Sequence, residues 1–464
     1  MSLQKNVFLR NVYRWHKIIS IAICLPLILW ALSGIAMPIS HWIFKNSMEH
    51  GSAKISVNTS KFQSIQNVLE TSKVTSFKTL KIAEIEGKIY YQVFEDKSAR
   101  YFNTENGEEL KNGDQIFAEK IAMKSAHNHS GVQNISLKTK FDKVYRPNNK
   151  VLPAYQIHYK DGSDVFVDTK SARMIANNSQ GRKVYLWFFR TFHNMDFLDF
   201  LGKKFRSVVL IVVLFLLCLS SVSGFFLYGL MYNKFKKGKS IHSKKRYYHR
   251  NLGIVFSVIS LGFYFTGLLR TIKKMEPKSK PETFVSQKIN VSEVAKLPIV
   301  NAEISQFSVK KIGDDVLYRI VYPKDKIKKT QKIEYYSAKD GTLVNQKEEF
   351  FAQKLLVNSS VKSSKLVTSY EKNGGYGMMQ KILPVTKIEL NDAKKSTIYI
   401  DIDSEKTIMK TTEYERLESL LFSIFHTYSF MDFLGRDFKD GFLVIINLFL
   451  LTVSTLGMLI LLKK

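Results

Sequence analysis

Ten histidines occur in the chain, and four of them repeat at one spacing. His16 and His249 are 233 residues apart, and so are His193 and His426. Their neighbours repeat too. Trp15-His16-Lys17 falls on Tyr248-His249-Arg250, and Phe192-His193 falls on Phe425-His426. Neutral imidazole is the commonest metal-binding side chain. Two imidazoles facing each other from opposite sides form the axial ligand set of a b-type haem. Two such pairs at two depths would make an electron relay. Zinc and proton relays also use paired histidines. Zinc prefers four ligands, however, and no Cys, Asp or Glu lies beside these histidines in both halves. The spacing therefore predicts two haems b, with His16 opposite His249 and His193 opposite His426.

Supporting residues follow from the same chemistry. Arg14, Lys17, Arg246, Arg250 and Arg190 are close enough in sequence to neutralise haem propionates, or else anchor the topology. Gly34, Gly267, Gly224 and Gly457 would let helices or a flat macrocycle approach closely. His127-Asn128-His129 has the spacing of a metal-holding strand, or is a surface loop, and the second half does not keep it. His41, next to Trp42, suits an interfacial aromatic belt. The only cysteines, Cys24 and Cys218, lie inside apolar runs. That excludes a disulfide scaffold, an iron–sulfur cluster and covalent CxxCH haem attachment.

Four apolar runs must position these residues: 18–44, 207–233, 251–269 and 441–462, none containing Asp, Glu, Lys or Arg. About 20 apolar residues cross a bilayer as a helix, so a four-helix membrane protein is predicted. The formal net charge is +30. Such a balance suits nucleic acid or an anionic membrane surface; the apolar runs select membrane lipids, and no nucleic-acid partner is expected. Residues 1–17, the loop 234–250 and the last two residues hold 14 basic and no acidic side chains. By the positive-inside rule both termini and that loop are cytoplasmic, and the long segments face outward. Gly34-Ile35-Ala36 imitates a signal-peptide cleavage site, but the run is too long for one.

The 233-residue shift also aligns Ser33-Gly34 with Thr266-Gly267, Gly224 with Gly457, and residues 198–202 with 431–435. This predicts a tandem duplication whose halves run parallel, related by a pseudo-two-fold axis along the membrane normal. Each half is a helix, an outer α+β unit, a juxtamembrane helix and a second helix. The expected boundaries are 1–44, 45–181, 182–233, 234–248, 249–272, 273–414 and 415–464. Within the outer units 88–94 and 315–322 read as strands, and Asn106-Gly107, Asp161-Gly162 and Asp340-Gly341 as turns. Residues 60–72 read as a short helix.

These motifs together resemble the PepSY-associated transmembrane family. The resemblance rests on the His16 and His249 openings, the Ser33-Gly34 helix and the segments F-H-x-x-x-F-L-D-F-L-G and F-H-x-x-x-F-M-D-F-L-G from Phe192 and Phe425. It rests also on Val165-Phe166-Val167-Asp168 and Ile398-Tyr399-Ile400-Asp401. It covers essentially the whole chain. It implies an inner-membrane protein with two PepSY-like periplasmic domains that reduces a ferric siderophore or other ferric chelate outside the membrane. Some relatives carry a flavin-binding cytoplasmic domain; here the inner segments are short and no GxGxxG occurs. An unidentified cytoplasmic protein or quinol is therefore the expected electron donor. The alternatives are a non-enzymatic anchored PepSY module and a transporter component. Transport is disfavoured because no helix is expected to carry a buried Asp or Glu.

Overall fold

The structure is a computed structural model. It describes residues 2–44, 54–95, 99–126, 130–147, 151–236, 244–276, 287–325, 327, 330–356, 360–371, 375–377 and 382–462. Four helices are long and apolar enough to cross a membrane: α1 (Ser2–Ile43), α5 (Lys203–Lys236), α6 (Lys244–Met275) and α9 (Arg436–Leu462). Each outruns its apolar stretch, because a helix goes on satisfying its own backbone after hydrophobicity ends. Leu25 and Val258 stay exposed on their surfaces, as lipid-facing residues should. The helices pack in a ring, α1 against α5, α5 against α6, α6 against α9 and α9 against α1. Thus α1 and α6, the equivalent helices of the two halves, stand diagonally. Between them lie two apolar clusters, one around Ile23, Leu214, Leu217 and Tyr264, the other around Ala31, Tyr428, Ile446 and Leu450.

The remaining helices are α2 (Ile65–Thr71), α3 (Gly113–Ala126), α4 (Gln180–His193), α7 (Glu348–Lys354) and α8 (Glu413–Phe425). The 60–72 stretch is broken, with a 3-10 turn at Thr59–Lys61 before α2, because Ser64 caps α2 through the Asn67 backbone N–H. Helices α4 and α8 both run into a residue with left-handed backbone, Met195 (φ 53°) and Tyr428 (φ 49°). A 3-10 turn follows each, Asp196–Leu201 and Ser429–Leu434. Both turns end on a positive-φ glycine, Gly202 and Gly435, before α5 and α9 begin.

The outer segments, read separately from the sequence, share one sheet. Its seven antiparallel strands run Leu343–Val344, Ile333–Ser337, Asp315–Val321, Gln306–Ile312, Thr79–Ile85, Lys88–Phe94, Ala99–Asn103. The halves meet in the middle, Ser308 opposite Lys81 and Val309 opposite Leu80. Two short pairings reinforce the joint: Ile55–Asn58 with Asn301–Ile304, and Ser76–Phe77 with Ile289–Asn290. The core beneath draws on both halves, with Leu80, Tyr91 and Phe102 beside Phe307, Val309 and Tyr318. A four-stranded meander flanks each side. One comprises Val132–Lys138, Ala154–Tyr159, Asp164–Asp168 and Arg173–Asn178; the other comprises Val361–Val367, Val385–Leu390, Thr397–Asp401 and Lys406–Thr411.

Buried charge ties the sheet to its flanks. Arg319 and Glu348 form a buried pair at 2.6 Å, with the Tyr335 hydroxyl donating to Glu348 at 2.6 Å. Lys81 pairs with Asp403, and Lys310 with Glu405 at 3.3 Å. Burial works against the charged Asp403 carboxylate, but Lys81 and Lys310 outweigh it and hold the carboxyl well below the usual range. Lys170, beside the same lysines, is pushed down to about 8 by burial and by the charges of Lys310 and Lys81.

Candidate functional site

Each of the four repeated histidines is held by a hydrogen bond at Nδ1. In the pair nearest the sheets, His193 lies at the end of α4 and meets Ser33 Oγ of α1 at 3.1 Å. Ser33 already donates to the Trp30 carbonyl at 2.9 Å, so its oxygen accepts from His193. His426, the cap residue after α8, meets the Phe263 carbonyl of α6 at 3.3 Å. At the other end of the bundle His16 meets Ser223 Oγ of α5 at 2.8 Å, and Ser223 donates to the Ser220 carbonyl at 3.0 Å. His249 meets the Val453 carbonyl of α9 at 3.0 Å. In all four the partner can only accept. The proton therefore sits on Nδ1, and Nε2 carries the lone pair. This is the arrangement in which a second group orients an imidazole for a metal.

Aromatic rings complete the outer pair. Phe189 stacks on His193 at 4.5 Å and 15°, and Phe422 stacks on His426 at 4.3 Å and 14°. The two imidazole centres are 6.4 Å apart with their planes at 84°. A metal between two imidazoles, about 2 Å from each nitrogen as is usual for His, sets ring centres roughly 6 Å apart. At the opposite end a Cβ on Gly224 would lie 3.3 Å from His16 Cε1, and one on Gly457 3.1 Å from His249 Cε1. These glycines, 233 residues apart, give each ring its space. Among the described residues no group of three or more His, Cys, Asp or Glu could hold a metal. Paired imidazoles without further ligands fit a haem iron, because the porphyrin fills the other positions.

The other candidates fall elsewhere. Arg14 is exposed on α1. Arg250 lies over the Tyr247 ring at 5.7 Å, and its Nε donates to Asn251 at 3.4 Å. Arg190 donates to the Lys143 carbonyl at 3.4 Å. His127 and His129 lie outside the described residues. His41 is no part of the paired set: its Nδ1 meets Asp440 Oδ2 at 3.0 Å.

Asp440 corrects one expectation. It bounds the fourth apolar run, yet α9 begins four residues earlier at Arg436, so Asp440 sits inside the helix, 2% exposed against α1. The argument that no helix carries a buried acid therefore fails. Phe189 and Phe422 were also missed, although both stand four residues before a repeated histidine and at the same 233-residue spacing. Ser223 and Val453 carried no signal, since one hydroxyl or carbonyl among many marks nothing until the helices meet.

Fold and site together define a multi-pass α+β membrane protein with paired histidines at two levels of a four-helix bundle. The family described as the PepSY-associated TM region matches residues 97–464, and the chain belongs to it. No curated protein matches the chain.

Proposed function

We propose that the chain is a tandemly duplicated di-haem b protein of the bacterial inner membrane, with its termini in the cytoplasm and its sheets in the periplasm. It carries electrons outward to a ferric chelate. The observation that carries this reading is the shared state of His16, His249, His193 and His426: each donates its Nδ1–H to an accepting oxygen, with Nε2 left as a ligand. His16 and His249 would hold the inner group, His193 and His426 the outer one. Haem supplies one-electron transfer when bound. The protein fixes the imidazole tautomers and stacks Phe189 and Phe422 on the outer pair. One electron from a quinol or reduced cytoplasmic protein converts Fe(III) to Fe(II), which hard oxygen ligands bind more weakly.

The visible spectrum of the purified protein tests this. Two equivalents of extractable, non-covalent protohaem are expected, one lost or high-spin in His193→Ala and the other in His16→Ala. A colourless protein after expression with ample haem would sink the reading. The anchored-module alternative would then stand, and beside it a transporter built on the His41–Asp440 pair.

A further inference from the structure

Helices α4 and α8 run down the bundle rather than across its end. At its start α4 lies beside the outer end of α1. A Cβ on Gly181 would stand 3.1 Å from the Phe44 ring, and the Tyr185 and Phe44 rings are 6.3 Å apart. At its end His193 meets Ser33, and the His193 carbonyl accepts from Trp30 Nε1 at 3.0 Å. As α4 goes forward from Gly181 to His193, its partners on α1 go back from Phe44 to Trp30, so the two helices are antiparallel. Helix α8 does the same on α6. Glu415 meets Lys273 at 3.3 Å, and Glu418 meets Arg270 at 3.4 Å. Further along, a Cβ on Gly262 would stand 3.2 Å from the Phe425 side chain, and His426 meets the Phe263 carbonyl. At a rise of about 1.5 Å per residue, α8 descends about 16 Å between Glu415 and His426.

That descent enters the apolar layer. Trp30 and Ser33 belong to the uncharged run 18–44, and Phe263 to the run 251–269. Phe263 lies about 9 Å below the outer end of its run, and Ser33 about 16 Å below the end of the other, at the same rise. Beyond each tip the chain turns back through a 3-10 turn to the start of α5 or α9.

Exposed apolar side chains of the two units correspond at the 233-residue offset: Val184 with Leu417, Phe197 with Phe430, and Phe200 with Phe433. Phe200 is 80% and Phe433 78% exposed. Residues three apart eclipse in a 3-10 turn, so each turn projects its two phenylalanines together. Contiguous exposed apolar surface marks a partner or a membrane. Position selects the membrane. Each patch continues into an exposed phenylalanine of the next membrane helix, Phe205 or Phe438. Exposed Lys203, Lys204 and Arg436 at the helix starts suit lipid headgroups. Helices α5 and α9 stand diagonally in the ring; lipid surrounds both corners, whereas one second copy would cover a single corner.

We propose that α4 and α8, each with its following turn, are re-entrant units of the leaflet on the side of the sheets. They pass the headgroups, set His193 and His426 within the hydrocarbon layer, and rest Phe197, Phe200, Phe430 and Phe433 on phospholipid acyl chains. Helices and 3-10 turns satisfy most of their own backbone, and the residues at the tips, Met195 and Tyr428, are buried in protein, the condition under which irregular backbone is tolerated at membrane depth. The proposal needs a membrane-crossing chain and does not rest on the di-haem reading.

Nitroxide scanning of the full chain in phosphatidylcholine–phosphatidylglycerol nanodiscs tests it. In a Cys24→Ala, Cys218→Ala background one label at a time is placed by Phe200→Cys, Leu417→Cys, Phe425→Cys or Phe433→Cys. Glu105→Cys gives the water reference and Val258→Cys the lipid reference. Collision with oxygen, relative to collision with a water-soluble nickel chelate, should be at least fivefold higher at Phe200 and Phe433 than at Glu105. Along α8 and its turn the ratio should peak at Phe425, above both Leu417 and Phe433. The unsubstituted chain, photolysed with a phospholipid carrying a diazirine in its acyl chain, should form adducts within 184–205 and 417–438. Free access of the nickel chelate to Phe200 and Phe433 would overturn the proposal. So would exclusion of both reagents, the result of a second copy covering the patch. A flat ratio from Leu417 through Phe425 to Phe433 would place α8 on the membrane surface and refute re-entry, as would adducts confined to the four membrane helices.

Discussion

The imidazoles of His193 and His426 stand 6.4 Å apart and almost perpendicular, each stacked on a phenylalanine four residues earlier. They come from helices 233 residues apart, and each is steered by the first helix of its own half, His193 by Ser33 on α1 and His426 by Phe263 on α6. Each half therefore orients its own imidazole, and only the folding of the two halves together makes the pair.

Removing the steering group should loosen the ligand without removing it. Ser33→Ala deletes the acceptor of His193 Nδ1 and leaves the imidazole in place. Loss of such a supporting partner typically costs about 10–100-fold in affinity for the bound metal. Haem titration of the apoprotein should show that loss for one of two equivalents. Equal affinity at both sites would show that Ser33 plays no part.

The glycine floors should be intolerant of side chains. At Gly457 a Cβ would stand 3.1 Å from His249 Cε1, and valine adds two further carbons. Overpacking of this kind costs about 1–3 kcal/mol and displaces the neighbour. Gly457→Val is expected to lower the haem content to one equivalent, with the His193–His426 signal unchanged. Two intact equivalents would show that the ring has room to move.

The buried Arg319–Glu348 pair should resist removal of one partner more than removal of both. Arg319→Met strands a buried carboxylate, and breaking such a pair costs about 3–5 kcal/mol. Arg319→Met with Glu348→Leu should recover most of the loss. Thermal unfolding of the purified chain measures it; a double variant as unstable as the single one would contradict the reasoning.

Lys170 should make stability depend on pH on the alkaline side. Its amine is lowered from 10.5 to about 8 in the folded state, so the unfolded chain binds more protons between those values. Stability contributed by this group therefore rises as pH increases from about 8 to 10.5. Lys170→Met should flatten that part of the stability profile. An unaltered slope would assign the effect to other groups.

Much of this protein is legible along the chain alone. Membrane helices follow from apolar runs, and runs are local. The pairing of the histidines, of residues 198–202 with 431–435 and of Gly224 with Gly457 follows from one offset, because a repeat places equivalent residues in equivalent positions whatever the details of packing. Tertiary structure decided the rest, since it depends on contacts between residues hundreds apart. The inner strand Thr79–Ile85 needs a neighbour on each side, and only folding shows that one of them, Gln306–Ile312, comes from the other half. Asp440 reads as a boundary charge until α9 winds past it and α1 covers it. The histidine tautomers were likewise beyond sequence, because a proton's position is set by whichever oxygen faces the ring.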